Sequence, residues 1–283
     1  MSLVSDVEPV RAVLERPHGL LEGPRFAAGG ELVYSDVLAG GLFAYTDAGG
    51  GEVRELLPKR RGIGGVVPHE DGGWVISGRT LVHLAPDGSQ RELRGEGGAC
   101  GYNDLGSTPG GDLLAGVLRF RPFAGEEPCP GQLLLLGRDG SERVINEEIL
   151  WPNGIGVAED GHTVYISDYA RGAVMVVNLE GGPARELARS PRGSADGLAL
   201  DVEGGVWVAL GEGAGVARML ADGSVDEVVD LPAGFVSSVC FGGPDMCDML
   251  ITTADNHEQP ELGGTLLRAR CAVAGARVYP LGV

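Results

Sequence analysis

A short unit recurs six times along the chain and constrains the fold more than any other feature. Each unit opens with a glycine, usually the second of a Gly-Gly pair, that precedes a run of apolar and β-branched residues. Such a run after a glycine turn is typical of a short buried β-strand. Successive units begin 43, 38, 50, 44 and 38 residues apart. The opening glycines are Gly30, Gly73, Gly111, Gly161, Gly205 and Gly243.

Further short apolar runs follow within the units, and Asp-Gly pairs, which favour tight hairpin turns, separate several of them. Examples of these pairs are Asp87-Gly88, Asp139-Gly140 and Asp222-Gly223. A period of about 40–45 residues with four strands per unit is typical of a β-propeller. We therefore predict an all-β fold, a six-bladed β-propeller with four-stranded antiparallel blades. A pair of β-sandwiches is the alternative, but it would not show this self-similarity.

A ring of blades needs a strand that closes it. Val10–Leu14 precede the first unit, and Arg277–Leu281 follow the last. We predict that one of these two segments supplies a missing outer strand and holds the ring shut. No boundary between domains is visible in the sequence, so residues 1–283 are expected to form a single propeller domain.

The composition excludes several classes of function. The chain has 283 residues and a net charge of −18, so it repels phosphate backbones and no nucleic acid is expected as a partner. No apolar run approaches the roughly 18 residues of a membrane span, so no membrane partner is expected. The five cysteines are irregularly spaced, which predicts free thiols in a reducing compartment. We therefore expect a cytoplasmic protein that is a monomer or a weak dimer.

Polar residues occupy one position of the repeat. Ten or eleven residues before each predicted second strand lies the first strand of the blade, which runs nearest to the propeller axis. Counting back this far reaches Glu22, Gly64, Asn103, Asn153, Asp196 and Ser238. Five of these six side chains offer oxygen atoms. Such a ring fits a hard divalent cation, Ca²⁺ first. A polar, water-filled channel without an ion is the alternative.

Five segments together carry a resemblance that spans nearly the whole chain. They are Leu21-Glu22-Gly23-Pro24-Arg25-Phe26, Tyr102-Asn103-Asp104, Trp151-Pro152-Asn153-Gly154-Ile155, Ala195-Asp196-Gly197-Leu198-Ala199, and Phe241-Gly242-Gly243 with Leu250-Ile251-Thr252-Thr253. In this order they resemble the gluconolactonase, regucalcin and luciferin-regenerating enzyme family. The resemblance implies a six-bladed propeller with one divalent metal ion at the axis. It also implies that Glu22, Asn153 and Asp196 are metal ligands, that Asn103 faces the substrate or acts through a water, and that Asp196 is the general base.

The chain departs from the family pattern in the region that the family uses for substrate. Phe26 stands where the family usually has Trp, and Gly101 replaces an Arg that helps its sugar-lactone hydrolases to bind sugar hydroxyls. Arg119-Phe120-Arg121 replace an acidic lid segment, within an insertion at 119–130 that we interpret as a lid or rim loop. These changes predict a substrate less polar than a sugar lactone, on which a carboxylate could pair with Arg119 or Arg121.

The predicted activity is metal-dependent hydrolysis of a lactone, a cyclic ester, with a small-molecule ester or lactone as the partner. One divalent ion is the expected cofactor, Ca²⁺ first, with Mg²⁺, Mn²⁺, Zn²⁺ and Fe²⁺ as alternatives. Asp196 would orient or deprotonate the attacking water, and Asp104 is the alternative base. The predicted substrate contacts are Asn103, Asp104, Arg119, Phe120, Arg121 and Trp151.

Two other functions fit the same residues. The metal site could support the hydrolysis of organophosphates or aryl esters, and a non-catalytic calcium-binding propeller would act as a scaffold only. His257, which follows the second strand of the sixth unit, is an outside candidate for a role in the site.

Overall fold

A computed structural model describes residues 2–14, 18–27, 29–47, 51–254 and 263–283. It confirms the six-bladed β-propeller, because its six four-stranded antiparallel sheets are the six blades. The inner strands of successive blades contact one another in ring order around a central channel. Every second strand that the glycine repeat predicts is present.

The strands of each blade follow the chain from the channel outwards. Strand β1 (Val4–Pro9) and the one-turn helix α1 (Arg11–Leu14) precede the first blade. Blade 1 contains β2 (Leu21–Phe26), β3 (Leu32–Asp36), β4 (Gly41–Thr46) and β5 (Glu52–Pro58). Blade 2 contains β6 (Val66–Pro68), β7 (Trp74–Ile76), β8 (Leu81–Leu84) and β9 (Gln90–Arg94). Blade 3 contains β10 (Gly101–Ser107), β11 (Leu113–Leu118), β12 (Gln132–Leu136) and β13 (Glu142–Asn146).

The second half of the ring repeats this order. Blade 4 contains β14 (Pro152–Val157), β15 (Thr163–Asp168), β16 (Ala173–Asn178) and β17 (Arg185–Arg189). Blade 5 contains β18 (Leu198–Leu200), β19 (Val206–Ala209), β20 (Gly215–Met219) and β21 (Val225–Asp230). Blade 6 contains β22 (Val236–Gly242), β23 (Asp248–Thr253) and β24 (Leu266–Cys271), with β1 as its outermost strand. A 3-10 helix at Pro122–Ala124 lies in the connection between β11 and β12.

The N-terminal segment closes the ring, as predicted, but with an earlier stretch of sequence. Strand β1 pairs antiparallel with β24, from Val4 opposite Cys271 to Pro9 opposite Leu267. The predicted latch at Val10–Leu14 is wrong, because most of that stretch forms α1. Val10 and Val13, three residues apart, are both buried on the inner face of this turn, which is helical spacing.

The C-terminal segment covers the channel instead of adding a strand. Ala276 to Tyr279 line a cavity of about 60 Å³ together with residues from the inner strands of all six blades. Farther on, the fully buried Leu281 forms a parallel bridge with His69 in blade 2. The segment therefore crosses one end of the channel, and the alternative prediction, that Arg277–Leu281 supplies the missing outer strand, is wrong.

Apolar side chains fill the spaces between neighbouring blades. Trp207 is fully buried and lies in a cluster with Phe241 and Val4, and Trp74 packs between blades 1 and 2. Both tryptophans thus serve packing. All five cysteines are free. Among the described residues, no helix is long and apolar enough to cross a membrane.

The pairing of β1 with β24 predicts different effects for two adjacent substitutions in β1. Val4 is buried against the cluster of Trp207 and Phe241, whereas Ser5 is exposed. Val4→Asp should lower the free energy of unfolding by about 2–4 kcal/mol, because it buries a charge among apolar groups. Ser5→Asp should change it by less than about 0.5 kcal/mol. Urea denaturation measures both, and equal losses would show that β1 does not dock as described.

Candidate functional site

Irregular pairing on the inner strands positions the predicted polar residues. In three blades, two inner-strand residues oppose a single residue of the second strand, which is the pattern of a β-bulge. The shifts fall between Glu22 and Arg25, between Tyr102 and Leu105, and between Pro152 and Ile155. Each bulge contains or directly follows a residue of the predicted ring. A bulge redirects side chains and is common beside active sites, so the repeated bulges indicate that this level of the channel has a functional role.

Asn153 and Asp196 meet at this level, although they are far apart in sequence. The side-chain amide of Asn153 donates a hydrogen bond to Oδ1 of Asp196, and both residues are buried. The two blades approach closely here. A Cβ atom on Gly154 would lie 2.3 Å from the backbone nitrogen of Leu198, so only glycine fits beside Asn153. Two of the three predicted metal ligands are therefore in direct contact.

Glu22, the third predicted ligand, is buried close enough to the other acids to change their titration. Burial, reinforced by the charge of Asp104, raises the pKa of Glu22 to about 8. Burial and the charges of Glu22 and Asp104 raise the pKa of Asp196 well above its usual value. The hydrogen bond from Asn153 lowers the Asp196 pKa, but by less. Glu22 and Asp196 thus form a mutually repelling pair that lacks a full counter-charge.

Asp104 has a cationic partner that sequence reasoning missed. The guanidinium of Arg25 lies 3.8 Å from Oδ1 of Asp104, and both side chains are buried. The backbone N–H of Leu105 also donates to this oxygen at 2.7 Å. Burial raises the pKa of Asp104, and Arg25 opposes that rise. Arg25 follows Glu22 by three residues, yet only the fold brings it to blade 3.

Asn103 occupies space beside Gly64, the one position of the predicted ring that has no side-chain oxygen. Its amide nitrogen donates to the carbonyl oxygen of Pro152 at 3.0 Å. Its Oδ1 lies against Gly64, where an added Cβ atom would come within 2.6 Å of it. Gly64 therefore contributes room and no ligand. Ser238, the sixth member of the predicted ring, is fully buried on β22.

An aromatic cluster stands beside the acids. Phe120 packs edge-on against Trp151 with ring centroids 5.2 Å apart, and the ring centroids of Trp151 and Tyr169 are 4.4 Å apart. Burial raises the pKa of Tyr169 to about 12, and the charges of Asp196, Glu212 and Glu22 contribute to the rise, so its ring lies near the acidic pair. Sequence reasoning missed Tyr169. Its position directly after β15 could have indicated it, because the end of β15 lies beside the start of β14, which Trp151 precedes.

The two arginines of the insertion already have carboxylate partners. Arg119 pairs with Glu147 at 3.3 Å, and Arg121 pairs with Glu126. Both arginine side chains are well exposed to solvent. Both arginines lie in the connection between β11 and β12. Phe120, which stands between them, packs against Trp151, so this connection starts at the rim of the channel mouth. His257, the outside candidate, lies outside the described residues.

Together these features define a six-bladed β-propeller with buried oxygen donors and an aromatic wall at one mouth of its channel. Residues 20–255 match the family model described as SMP-30/Gluconolactonase/LRE-like region. The chain belongs to this family, which confirms the resemblance that its sequence segments predicted.

Relatives match along most of the chain. It is 28% identical over 287 residues to a 6-deoxy-6-sulfogluconolactonase of Pseudomonas putida, covering 95% of this chain and 97% of the relative. It is 29% identical over 255 residues to pentonolactonase XacC of Haloferax volcanii, covering 87% and 85% of the two chains. The solved structure of a calcium-binding protein, regucalcin, from Agrobacterium tumefaciens aligns with a TM-score of 0.82 and 25% identity, over 96% of both chains.

The acidic pair predicts an unusual pH dependence of stability. The pKa of Glu22 is about 8 in the folded chain, against 4.5 for an ordinary glutamate. Between these values the unfolded chain loses a proton that the folded chain keeps, so stability without metal should fall as pH rises from 5 to about 8. Glu22→Gln should flatten this fall and melt above the wild type at pH 8 in EDTA. With excess Ca²⁺ the order should reverse if Glu22 is a metal ligand as the resemblance implies, because the ion would then bind the wild type more tightly than the variant.

Thermal unfolding at pH 5 and at pH 8, in EDTA and in Ca²⁺, measures this effect. Glu159→Gln, at an exposed turn of blade 4, is the matched control and should follow the wild type throughout. Parallel curves for Glu22→Gln and the wild type in EDTA would contradict the described burial of Glu22.

Proposed function

We propose that this chain is a divalent-metal-dependent lactonase, a carboxylic ester hydrolase that opens a cyclic ester at the mouth of the channel. The observation that carries the proposal is the buried pair of Glu22 and Asp196, which is short of positive charge and whose Asp196 accepts a hydrogen bond from Asn153. The family supports it, and two relatives bear the names of lactonases. A propeller that acted only as a scaffold would not need to bury repelling carboxylates at its axis.

The residues at the mouth fit a hard divalent cation. Glu22 and Asp196 would provide carboxylate oxygens, and Asn153 would provide its amide oxygen. Ca²⁺ prefers such all-oxygen sites, and Mg²⁺ or Mn²⁺ share the preference; Zn²⁺ and Fe²⁺ fit less well without nitrogen or sulfur. When bound, the cation supplies positive charge that polarises a carbonyl oxygen and relieves the carboxylate repulsion.

Asp196 is the best candidate for the base. The amide of Asn153 fixes the orientation of its carboxylate, which can then orient or deprotonate an attacking water. Asp104, the alternative, is already balanced by Arg25, which favours its charged form and makes it a weaker proton acceptor. Asp104 is therefore assigned to holding Arg25 and the bulge of β10.

The remaining residues select and position the substrate. Asn103 uses one amide hydrogen on the carbonyl of Pro152 and keeps a second for a substrate oxygen. Phe120, Trp151 and Tyr169 offer an apolar wall. Gly101 offers no side chain to sugar hydroxyls. This lining favours a lactone less polar than a polyhydroxylated sugar lactone, although the named substrates of the relatives are sugar lactones.

A pH-stat assay with Ca²⁺ compares gluconolactone with an aliphatic or aromatic lactone, an aryl ester and a phosphotriester. We expect the less polar lactone to give the highest kcat/KM and EDTA to abolish the activity. A clear preference for gluconolactone would contradict the substrate assignment. Metal binding without turnover of any ester would favour the scaffold.

Substitutions of Asp196 and Asp104 in the same assay distinguish the two candidate bases. Asp196→Asn should lower kcat by about 10²–10⁴-fold, which is the usual contribution of a general base. Asp104→Asn should retain most of kcat, because Asp104 acts through Arg25. Calcium titration of each variant separates lost binding from lost chemistry. The reverse order of kcat values would move the base to Asp104.

A further inference from the structure

Two histidines and an aspartate meet on blade 2, at the end of the channel away from the acidic pair. Glu22 and Asn153 lie at the beginnings of their inner strands, whereas His69 and Asp71 lie in the turn that follows inner strand β6. His83 comes from the middle of β8, opposite Val75. The group is therefore separate from the candidate active site.

The carboxylate of Asp71 lies between the two imidazoles. Its Oδ1 is 2.8 Å from Nδ1 of His69, and its Oδ2 is 3.0 Å from Nε2 of His83. The centroids of the two imidazole rings are 4.0 Å apart. One ligand atom from each residue lies within 4.8 Å of the other two. Over the described ranges, no other three His, Cys, Asp or Glu side chains form such a group.

The hydrogen bonds around His69 leave its Nδ1 as an acceptor. Nε2 of His69 is 3.1 Å from the main-chain oxygen of Val283, which accepts, so the tautomer that satisfies this contact carries its hydrogen on Nε2. The backbone N–H of Asp71 donates to Nδ1 at 3.3 Å. In that tautomer, Nδ1 and Oδ1 of Asp71 are two acceptors 2.8 Å apart, which a shared hydrogen or a bound cation would reconcile. A second nitrogen that donates to a backbone carbonyl is also typical of metal-binding histidines.

His83 supplies an independent observation. Its side chain is 9% exposed, and its Nε2 is buried without a hydrogen bond of standard geometry, although Oδ2 of Asp71 lies 3.0 Å away. A buried ring nitrogen normally finds such a partner. Here the unpaired nitrogen faces the one carboxylate that also contacts His69.

We infer that His69, Asp71 and His83 form a second metal site, which takes a borderline divalent cation such as Zn²⁺. Two imidazoles and one carboxylate are a common set of three protein ligands for zinc. Bond lengths of about 2.0–2.2 Å place tetrahedral ligand atoms roughly 3.4 Å apart. The three side chains therefore need to close only slightly around the ion. The axial site, with oxygen donors alone, selects a different class of cation.

The site also touches the segment that covers the channel. His69 forms a parallel bridge with Leu281, and the backbone N–H of Glu70 donates to the Leu281 carbonyl at 2.9 Å. Arg91 shares the Val283 carbonyl with His69, at 3.1 Å, and is the cation that a metal ion must tolerate nearby. Because His69 belongs to both features, zinc binding should hold the C-terminal segment against blade 2.

Zinc titration of the full chain by calorimetry, with Ca²⁺ in excess to fill the axial site, tests the inference. The wild type should bind one Zn²⁺ per chain. His83→Gln and the more exposed Asp71→Asn should each weaken binding at least tenfold, and Asp71→Asn serves if the buried substitution fails to fold. His162→Gln is the matched control, because His162 lies in an exposed turn of blade 4 beside Asp160. Equal zinc affinity in all four proteins, or none in the wild type, would overturn the site.

Hydrogen exchange gives a second readout, which does not depend on enzymatic activity. Zinc should slow exchange at the amides of Glu70 and Leu281 at least tenfold in the wild type and in His162→Gln. It should have no such effect in Asp71→Asn. Equal exchange rates with and without zinc in the wild type would show that the ion does not hold the segment.

Discussion

The repulsion between two buried carboxylates, those of Glu22 and Asp196, is the constraint around which the mouth of the channel is arranged. Burial raises the pKa of both groups, the charge of Asp104 adds to the rise at each, and the charge of Glu22 raises the pKa of Asp196 further. Asn153 offers Asp196 a hydrogen bond, which compensates only part of the cost. Arg25 pairs with Asp104 at 3.8 Å, and its charge offsets the rise in the Glu22 pKa only in part. A divalent cation bound by all three residues would neutralise the pair and place positive charge where an ester carbonyl could approach.

The fold produces this arrangement by closing a ring. Glu22, Asn153 and Asp196 come from three blades, and the pairing of β1 with β24 joins the first and last parts of the chain. Bulges at the same level of several inner strands set the acids and amides at the axis. The two ends of the channel then differ in chemistry: one presents oxygen donors, and the other carries imidazoles beneath the C-terminal segment.

The repeat was sufficient to predict the blades and the level of the site, because hairpin turns and strand periodicity are local properties. It could not predict the pairing of Arg25 with Asp104, since that contact joins two blades whose separation depends on side-chain packing. Tyr169 was missed for the same reason, as was the contact between His69 and His83. The closing strand lies earlier in the sequence than predicted, because β1 lacks a clear alternation of apolar and polar residues, with Val4 and Val7 three positions apart.

A crystal structure of the protein grown with Ca²⁺ would test the central claim most directly. The account predicts one ion at the mouth of the channel, with oxygens of Glu22, Asn153 and Asp196 at about 2.3–2.6 Å. An ion bound by other residues, or separations among these three too large for a single ion, would contradict it.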